Sequence, residues 1–193
     1  GPAALGKVLE NLLRAHVRAY KRIHASAREH GLRVEVGVAA HTRSFLPYRD
    51  RAPLDRVVAE QVEQAFIWDF LDALDTGHLR LTNTELHRII PDLAGSQDYV
   101  GINYYGRYYL KSDLFHPTEF QLLVSDPDDP LEQVSDLGWA IDPQGLHQIL
   151  VRASRRYQRP IYITENGLAD ATDSRRSAFI VQHLRAAWDA IQD

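Results

Sequence analysis

What most constrains this chain is the order of its local patterns. Three short runs rich in β-branched and aromatic residues, 33–40, 98–105 and 160–165, alternate with four segments of helical periodicity. In the first segment, 5–30, Leu5, Val8, Leu9, Leu12, Leu13, Ala19, Tyr20 and Ile23 recur at the spacing that lines one helix face. Gly31 ends it, as a residue free to take positive φ does. The second, 54–75, repeats the pattern through Val57, Val58, Val62, Ala65, Phe66, Phe70 and Leu74, with Gly77 as its stop. A third opens at Pro143, where proline suits the first turn, and a fourth runs over 173–191. Such alternation predicts an α/β fold with parallel strands, right-handed crossovers and strands apolar on both faces. Open doubly wound sheets and closed barrels share that order. The connections 41–53 and 106–142 read as loops, and the second is long enough to suggest a functional one.

Composition narrows the function. At 193 residues and 45% hydrophobic content, the chain can bury a core as one domain or a large part of one. Its 22 Lys and Arg against 26 Asp and Glu leave a formal net charge of -4, with no concentrated basic face for nucleic acid or an anionic membrane. The pairs Arg155-Arg156 and Arg175-Arg176 sit among acids and helix formers, as solvated helix faces do. No apolar run approaches the roughly 20 residues that span a bilayer. A zero cysteine count excludes disulfides and Cys-based metal sites and fits a cytoplasmic location. The nine histidines show no metal-ligand spacing, and Asp126, Asp128 and Asp129 lack the glycine and closing glutamate of a calcium loop. Neither a metal nor an organic cofactor is expected. Gly95, Gly101 and Gly106 do not form a nucleotide fingerprint, and no Gly-x-Ser-x-Gly elbow occurs, which weighs against nucleotide-binding and α/β-hydrolase readings. The chain opens on Gly1-Pro2-Ala3-Ala4 and contains no Met, so it reads as a piece of a longer polypeptide.

Chemistry concentrates in Ile161-Tyr162-Ile163-Thr164-Glu165-Asn166-Gly167, a strand that ends in a carboxylate, an amide and a glycine. In a barrel, that end opens onto the face where catalytic groups collect. A carboxylate there is held by rigid backbone and partly solvated, as a nucleophile or general base requires. Residue type alone equally allows a helix cap or an arginine partner. Asn103, Tyr104 and Tyr105 stand at the same end of the preceding strand, from which a phenol could donate to the Glu165 carboxylate or simply pack with a wet tip. His41 follows the first strand and is a candidate to face the pocket. His16, within a helix, reads as structural, and Phe66, Trp68 and Phe70 as helix packing.

Four motifs carry a family resemblance. Ile163-Thr164-Glu165-Asn166-Gly167 resembles the nucleophile motif of family 1 glycoside hydrolases, and Asp98-Tyr99-Val100-Gly101-Ile102-Asn103-Tyr104-Tyr105 resembles that family's strand-six motif. Asp136-Leu137-Gly138-Trp139 with Pro143-Gln144-Gly145-Leu146 is similar to its stretch before helix seven, and Asn11-Leu12-Leu13-Arg14-Ala15-His16 to the helix after strand four. The resemblance implies a (β/α)8 TIM barrel, of which residues 1–193 form part of a single catalytic domain, from helix four to helix seven. It implies a retaining β-glycosidase acting on small β-linked glycosides by double displacement, with Glu165 as nucleophile and Tyr105 as the tyrosine that orients it. Asn103 would line the sugar pocket, and Trp139 would shape the aglycone entrance. The partner is a small-molecule β-glycoside, with no nucleic acid, membrane or metal; oligomeric state has no signature here.

Departures from the family pattern are equally specific. No Thr-x-Asn-Glu-Pro acid/base motif and no Trp-Ser-x-x-Asp-Asn sugar-gripping motif occurs. The acid/base residue is therefore expected outside this chain, which holds strands five to seven only. The competing expectation is a non-catalytic sugar- or ligand-binding barrel that keeps Glu165 and has lost the acid.

Overall fold

A computed structural model of the chain describes residues 2–113, 115–116 and 119–193. Helix α1 (Pro2–Glu29) buries Leu13 and Val17 and leaves Leu5, Val8, Leu12 and Ile23 exposed. It stops at Gly31, whose φ of 67° lets the Leu32 amide return to the Ala27 carbonyl. Strand β1 (Gly37–Pro47) starts later and runs farther than its apolar run predicts. Residues 33–36 stay outside the ladder, whereas 41–47, expected as loop, continue the strand. The polar residues that suggested a loop are buried instead. The Thr42 hydroxyl donates to the Asn103 carbonyl at 3.0 Å and that of Ser44 to Asp142 at 3.1 Å, so their burial does not oppose the strand.

The helix predicted over 54–75 is a rod in three parts: α2 (Pro53–Glu63), a π-helical turn (Gln64–Trp68) and α3 (Asp69–Thr76). Gly77, at φ 80°, closes it. A short antiparallel pair follows, β2 (His78–Arg80) with β3 (His87–Ile89), too brief to leave a periodic signature. Strand β4 (Tyr99–Ser112) is central, with β1 parallel on one edge and β6 (Ile161–Asn166) parallel on the other. It runs seven residues past its predicted end at 105, and β5 (Phe120–Leu123) pairs antiparallel with that extension, on the edge that β6 leaves after Tyr104. The expected long loop thus begins as sheet. Helix α4 (Pro143–Tyr157) starts on its proline, capped by Asp142, which accepts from the Gly145 amide at 3.1 Å; α5 (Arg176–Gln192) follows β6.

Alternation along β4 sorts the two faces. Val100, Ile102 and Tyr104 join the core with Leu146, Ile149 and Ala153 of α4 and Ile67, Leu71 and Leu74 of the α2–α3 rod. The Tyr104 hydroxyl donates to the Asp142 carbonyl at 2.8 Å, deep under α4. Gly145 leaves room for this contact, since a Cβ there would run into Ser44 Oγ and the Tyr104 hydroxyl. Asn103 and Tyr105 point to the opposite face. No helix among the described residues is long and apolar enough to cross a membrane.

At the far end of β4, Asp55 is fully buried and accepts from Arg49 Nη2 (2.7 Å), Arg49 Nε (2.8 Å) and the Ser112 amide (2.9 Å). The Arg49 contact, helped by Ser112 against the cost of burial, holds this carboxyl far below the usual carboxylate range. A carboxyl depressed on folding contributes stability above its unfolded value, about 4, and that contribution fades as pH falls below it. Asp55→Asn should cost about 2–3 kcal/mol at pH 7 and flatten the loss of stability toward pH ~3. Urea midpoints of both proteins across that range check it.

Candidate active site

The parallel register brings three strand ends into one row. His41 lies opposite Asn103, and Asn103 opposite Glu165. The register slips on β6 between Ile163 and Glu165, and the extra residue, Thr164, donates its hydroxyl to Asn103 Oδ1 at 2.5 Å. Irregularities of this kind re-aim side chains. With Oδ1 engaged, the amide nitrogen of Asn103 is the group left to donate. On the far side of Glu165, Asn166 donates to the Tyr104 carbonyl at 2.8 Å, which fixes the β6 end against β4.

Tyr105 stands two residues beyond Asn103, and its phenol donates to Glu165 Oε2 at 2.8 Å. That hydrogen bond, then partial burial, holds the phenol above its ordinary titration range. The proton therefore stays on oxygen and keeps facing the carboxylate. Glu165 is exposed on this open face, with its other oxygen available to an incoming carbon. Among the described residues, no group of three or more His, Asp or Glu side chains is placed to hold a metal ion.

Aromatic rings surround the pair. The His41 ring stacks on Tyr105 at 6.3 Å between centroids, and Trp139 meets Tyr105 edge-on at 6.1 Å. Trp139 reaches the site because its loop is pulled against β4 at Gly106, where a φ of 145° and the lack of a side chain admit the Ala140 carbonyl. The same loop is tied to the β6–α5 connection by Asp136, which pairs with Arg175 and accepts from the Ala171 amide at 2.6 Å. All four residues expected at the site, Glu165, Tyr105, Asn103 and Trp139, thus meet on one face. Phe66, expected as packing, does pack against Phe45 at 5.4 Å, but it is half exposed and also meets His41 at 5.6 Å. His16, by contrast, is structural: its Nε2 meets the Ser96 carbonyl at 2.5 Å.

One residue of the site gave no sign in the sequence. Arg43 lies in β1 opposite a bulge in β4, where Tyr105 and Gly106 together face it, and is 1% exposed, its guanidinium 4.6 Å from the Tyr108 ring and 4.3 Å from that of Trp139. An arginine among polar residues in a presumed loop carries no signal of burial; the sequence reading would have needed the length of β1 to find it.

The sequence profile of glycosyl hydrolase family 1 matches residues 3–193. A beta-galactosidase of Saccharolobus solfataricus is 31% identical over 194 aligned residues, covering 96% of this chain and 37% of that protein. The solved beta-glycosidase from Pyrococcus horikoshii superposes with a TM-score of 0.80 at 34% identity, covering 97% of this chain and 41% of that one. The family 1 b-glucosidase from Thermotoga maritima gives 0.79 at 26% identity, over 95% and 44%. The chain therefore spans about two fifths of the length of the relatives it matches. Its parallel strands and flanking helices are part of a (β/α)8 barrel.

His41 is held below its ordinary value by burial first and by the Arg43 charge second, against an opposing pull from Glu165. It should therefore be a neutral imidazole at pH 7, able to accept or donate a hydrogen bond without carrying charge. An NMR titration, assigned with His41→Gln, should place its midpoint below about 6.5. A midpoint above that value would mean that the Glu165 charge outweighs burial.

Proposed function

We propose that this chain, which belongs to glycosyl hydrolase family 1, carries the nucleophile of a retaining β-glycosidase, and that Glu165 is that nucleophile. The 2.8 Å hydrogen bond from Tyr105 to Glu165, across two adjacent strand ends, carries the reading. A helix cap or arginine partner would place Glu165 on a backbone amide or a guanidinium; here one carboxylate oxygen is held by a phenol and the other is exposed. Such a group can attack an anomeric carbon without first breaking an ion pair. Asn103, steadied by Thr164, would bind a sugar hydroxyl beside the bond being broken, and Trp139 would pack on the leaving group.

In this reaction a second carboxylic acid protonates the glycosidic oxygen as Glu165 forms a bond to the anomeric carbon and the leaving group departs. A water then attacks the same carbon, gives its proton to that second carboxylate and frees Glu165, so configuration is retained overall. The two carboxyl groups stand about 5 Å apart in such enzymes, too close for an inserted water. The chemistry requires no metal or organic cofactor. The sequence contains no Asn-Glu-Pro, and we assign the acid to a residue outside residues 1–193. Relatives named beta-galactosidase and beta-glucosidase point to β-galactosides or β-glucosides as substrates. The absence of cysteine supports a cytoplasmic site of action.

The test is trapping with a 2-fluoro-β-glucoside bearing an activated leaving group, which departs without acid help, followed by intact mass and peptide mapping of the full protein. One sugar should appear on Glu165 and none in Glu165→Gln, while Tyr105→Phe should label at least about tenfold more slowly. A folded protein that binds the sugar and never labels would leave a binding barrel as the function.

A further inference from the structure

Arg43 is buried yet has no acidic partner. Its Nε and Nη1 are out of contact with solvent and make no hydrogen bond, and among the described residues no carboxylate lies within ion-pair distance of it. Arg107 nearby differs in charge balance: its Nε also lacks a hydrogen bond, but its guanidinium pairs with Glu132 and approaches Asp142 at 3.7 Å. The Tyr108 and Trp139 rings that flank Arg43 soften the loss of water but do not neutralise the charge. An uncompensated buried cation is costly, and groups in that state ordinarily have a counter-charge in the working assembly.

Its position says where that counter-charge would sit. Arg43 lies against one side of the half-buried Trp139, and Trp139 meets Tyr105, the partner of Glu165. A planar group stacked on the outer side of Trp139 would lie about 8 Å from the guanidinium, the 4.3 Å to the ring plus one stacking distance. Only an aromatic ring separates the two, so the field is weakly screened. We propose that Arg43 is a specificity-determining residue of the leaving-group side, selecting β-glycosides whose aromatic leaving group carries a carboxylate. Trp139 takes the ring and Arg43 favours its charge. This rests on the β-glycosidase reading above.

Three 2-fluoro-β-glucosides with leaving groups of matched acidity test it, one bearing a carboxylate, one a neutral amide and one an ammonium. The rate of mass gain on Glu165 is followed in the full protein. The carboxylate probe should label about tenfold faster than the neutral one and the ammonium probe slowest. Arg43→Lys should keep that order and Arg43→Met abolish it. If Arg43→Met does not fold, the order of the three probes on the unaltered protein still decides. Equal labelling by all three overturns the role of Arg43, for example because another part of the protein supplies its acid, and leaves the glycosidase standing. Labelling by none, the neutral probe included, removes both.

Discussion

The candidate site depends on the two ladders of β4. This strand pairs in parallel with β1 on one edge and β6 on the other, and through it the ends of all three strands come level. The alignment is pinned from below. Asp98, just before β4, accepts from the Val36 amide and the Tyr20 hydroxyl, each at 2.8 Å, and meets His24 at 2.7 Å, so α1 and the entry to β1 share one carboxylate with β4. A one-residue slip in either ladder would turn Asn103 or Glu165 to the helix side and separate Tyr105 from its acceptor. The hydrogen bond between Tyr105 and Glu165 is therefore a consequence of register, and register is fixed by packing far from the chemistry.

The same strand also divides apolar packing from the open face that carries Glu165. On its helix side, Tyr104 reaches Ser44 and Asp142 under the first turn of α4, a buried polar knot that closes only because Gly145 has no side chain. One residue later, Tyr105 presents the same phenol to a carboxylate in the open. Two adjacent tyrosines thus do opposite work, one locking a helix to the sheet and one holding the Glu165 carboxylate, and the pleat alone makes the difference. Strands β1 and β6 each pair on a single edge, and Tyr162 and Ile163 are exposed along β6. Barrel strands pair on both edges, so these apolar surfaces are what an unclosed arc of such a barrel presents.

Legibility followed the physics of each signal. The helices α1, α4 and α5 were readable because their apolar residues recur at helical spacing and because Gly31 and Pro143 punctuate the pattern; α4 buries that face, whereas Leu5, Val8 and Leu12 of α1 and Leu184 and Trp188 of α5 stay exposed. The apolar parts of β4 and β6 were readable as short β-branched and aromatic runs, and Glu165, Tyr105 and Asn103 stood at their ends, but only the family motifs marked them as a set, since residue type alone left capping and packing open. The upper half of β1 was not, since Thr42, Arg43 and Ser44 look like loop until their partners on β4 and at Asp142 are known. Nor was the π-helical turn, because one wide turn barely shifts a hydrophobic period over eleven flanking residues. Misreadings therefore cluster where polar side chains are satisfied by distant residues, information that no local window contains.

That blind spot coincides with the electrostatics of the site. Arg43 and His41 are two residues apart on the part of β1 that sequence patterns left as loop, and together they set the charge beside Glu165. Burial pushes both toward their neutral forms, and the positive charge of Arg43 adds to that push on His41. Arginine resists, because even a substantial shift leaves it protonated at neutral pH, whereas histidine yields. The face thus carries one fixed cation behind a ring and one neutral imidazole in front of it. On the proposed reading, such a face attracts an acidic leaving group to its far side without placing a mobile proton, or a competing cation, next to Glu165.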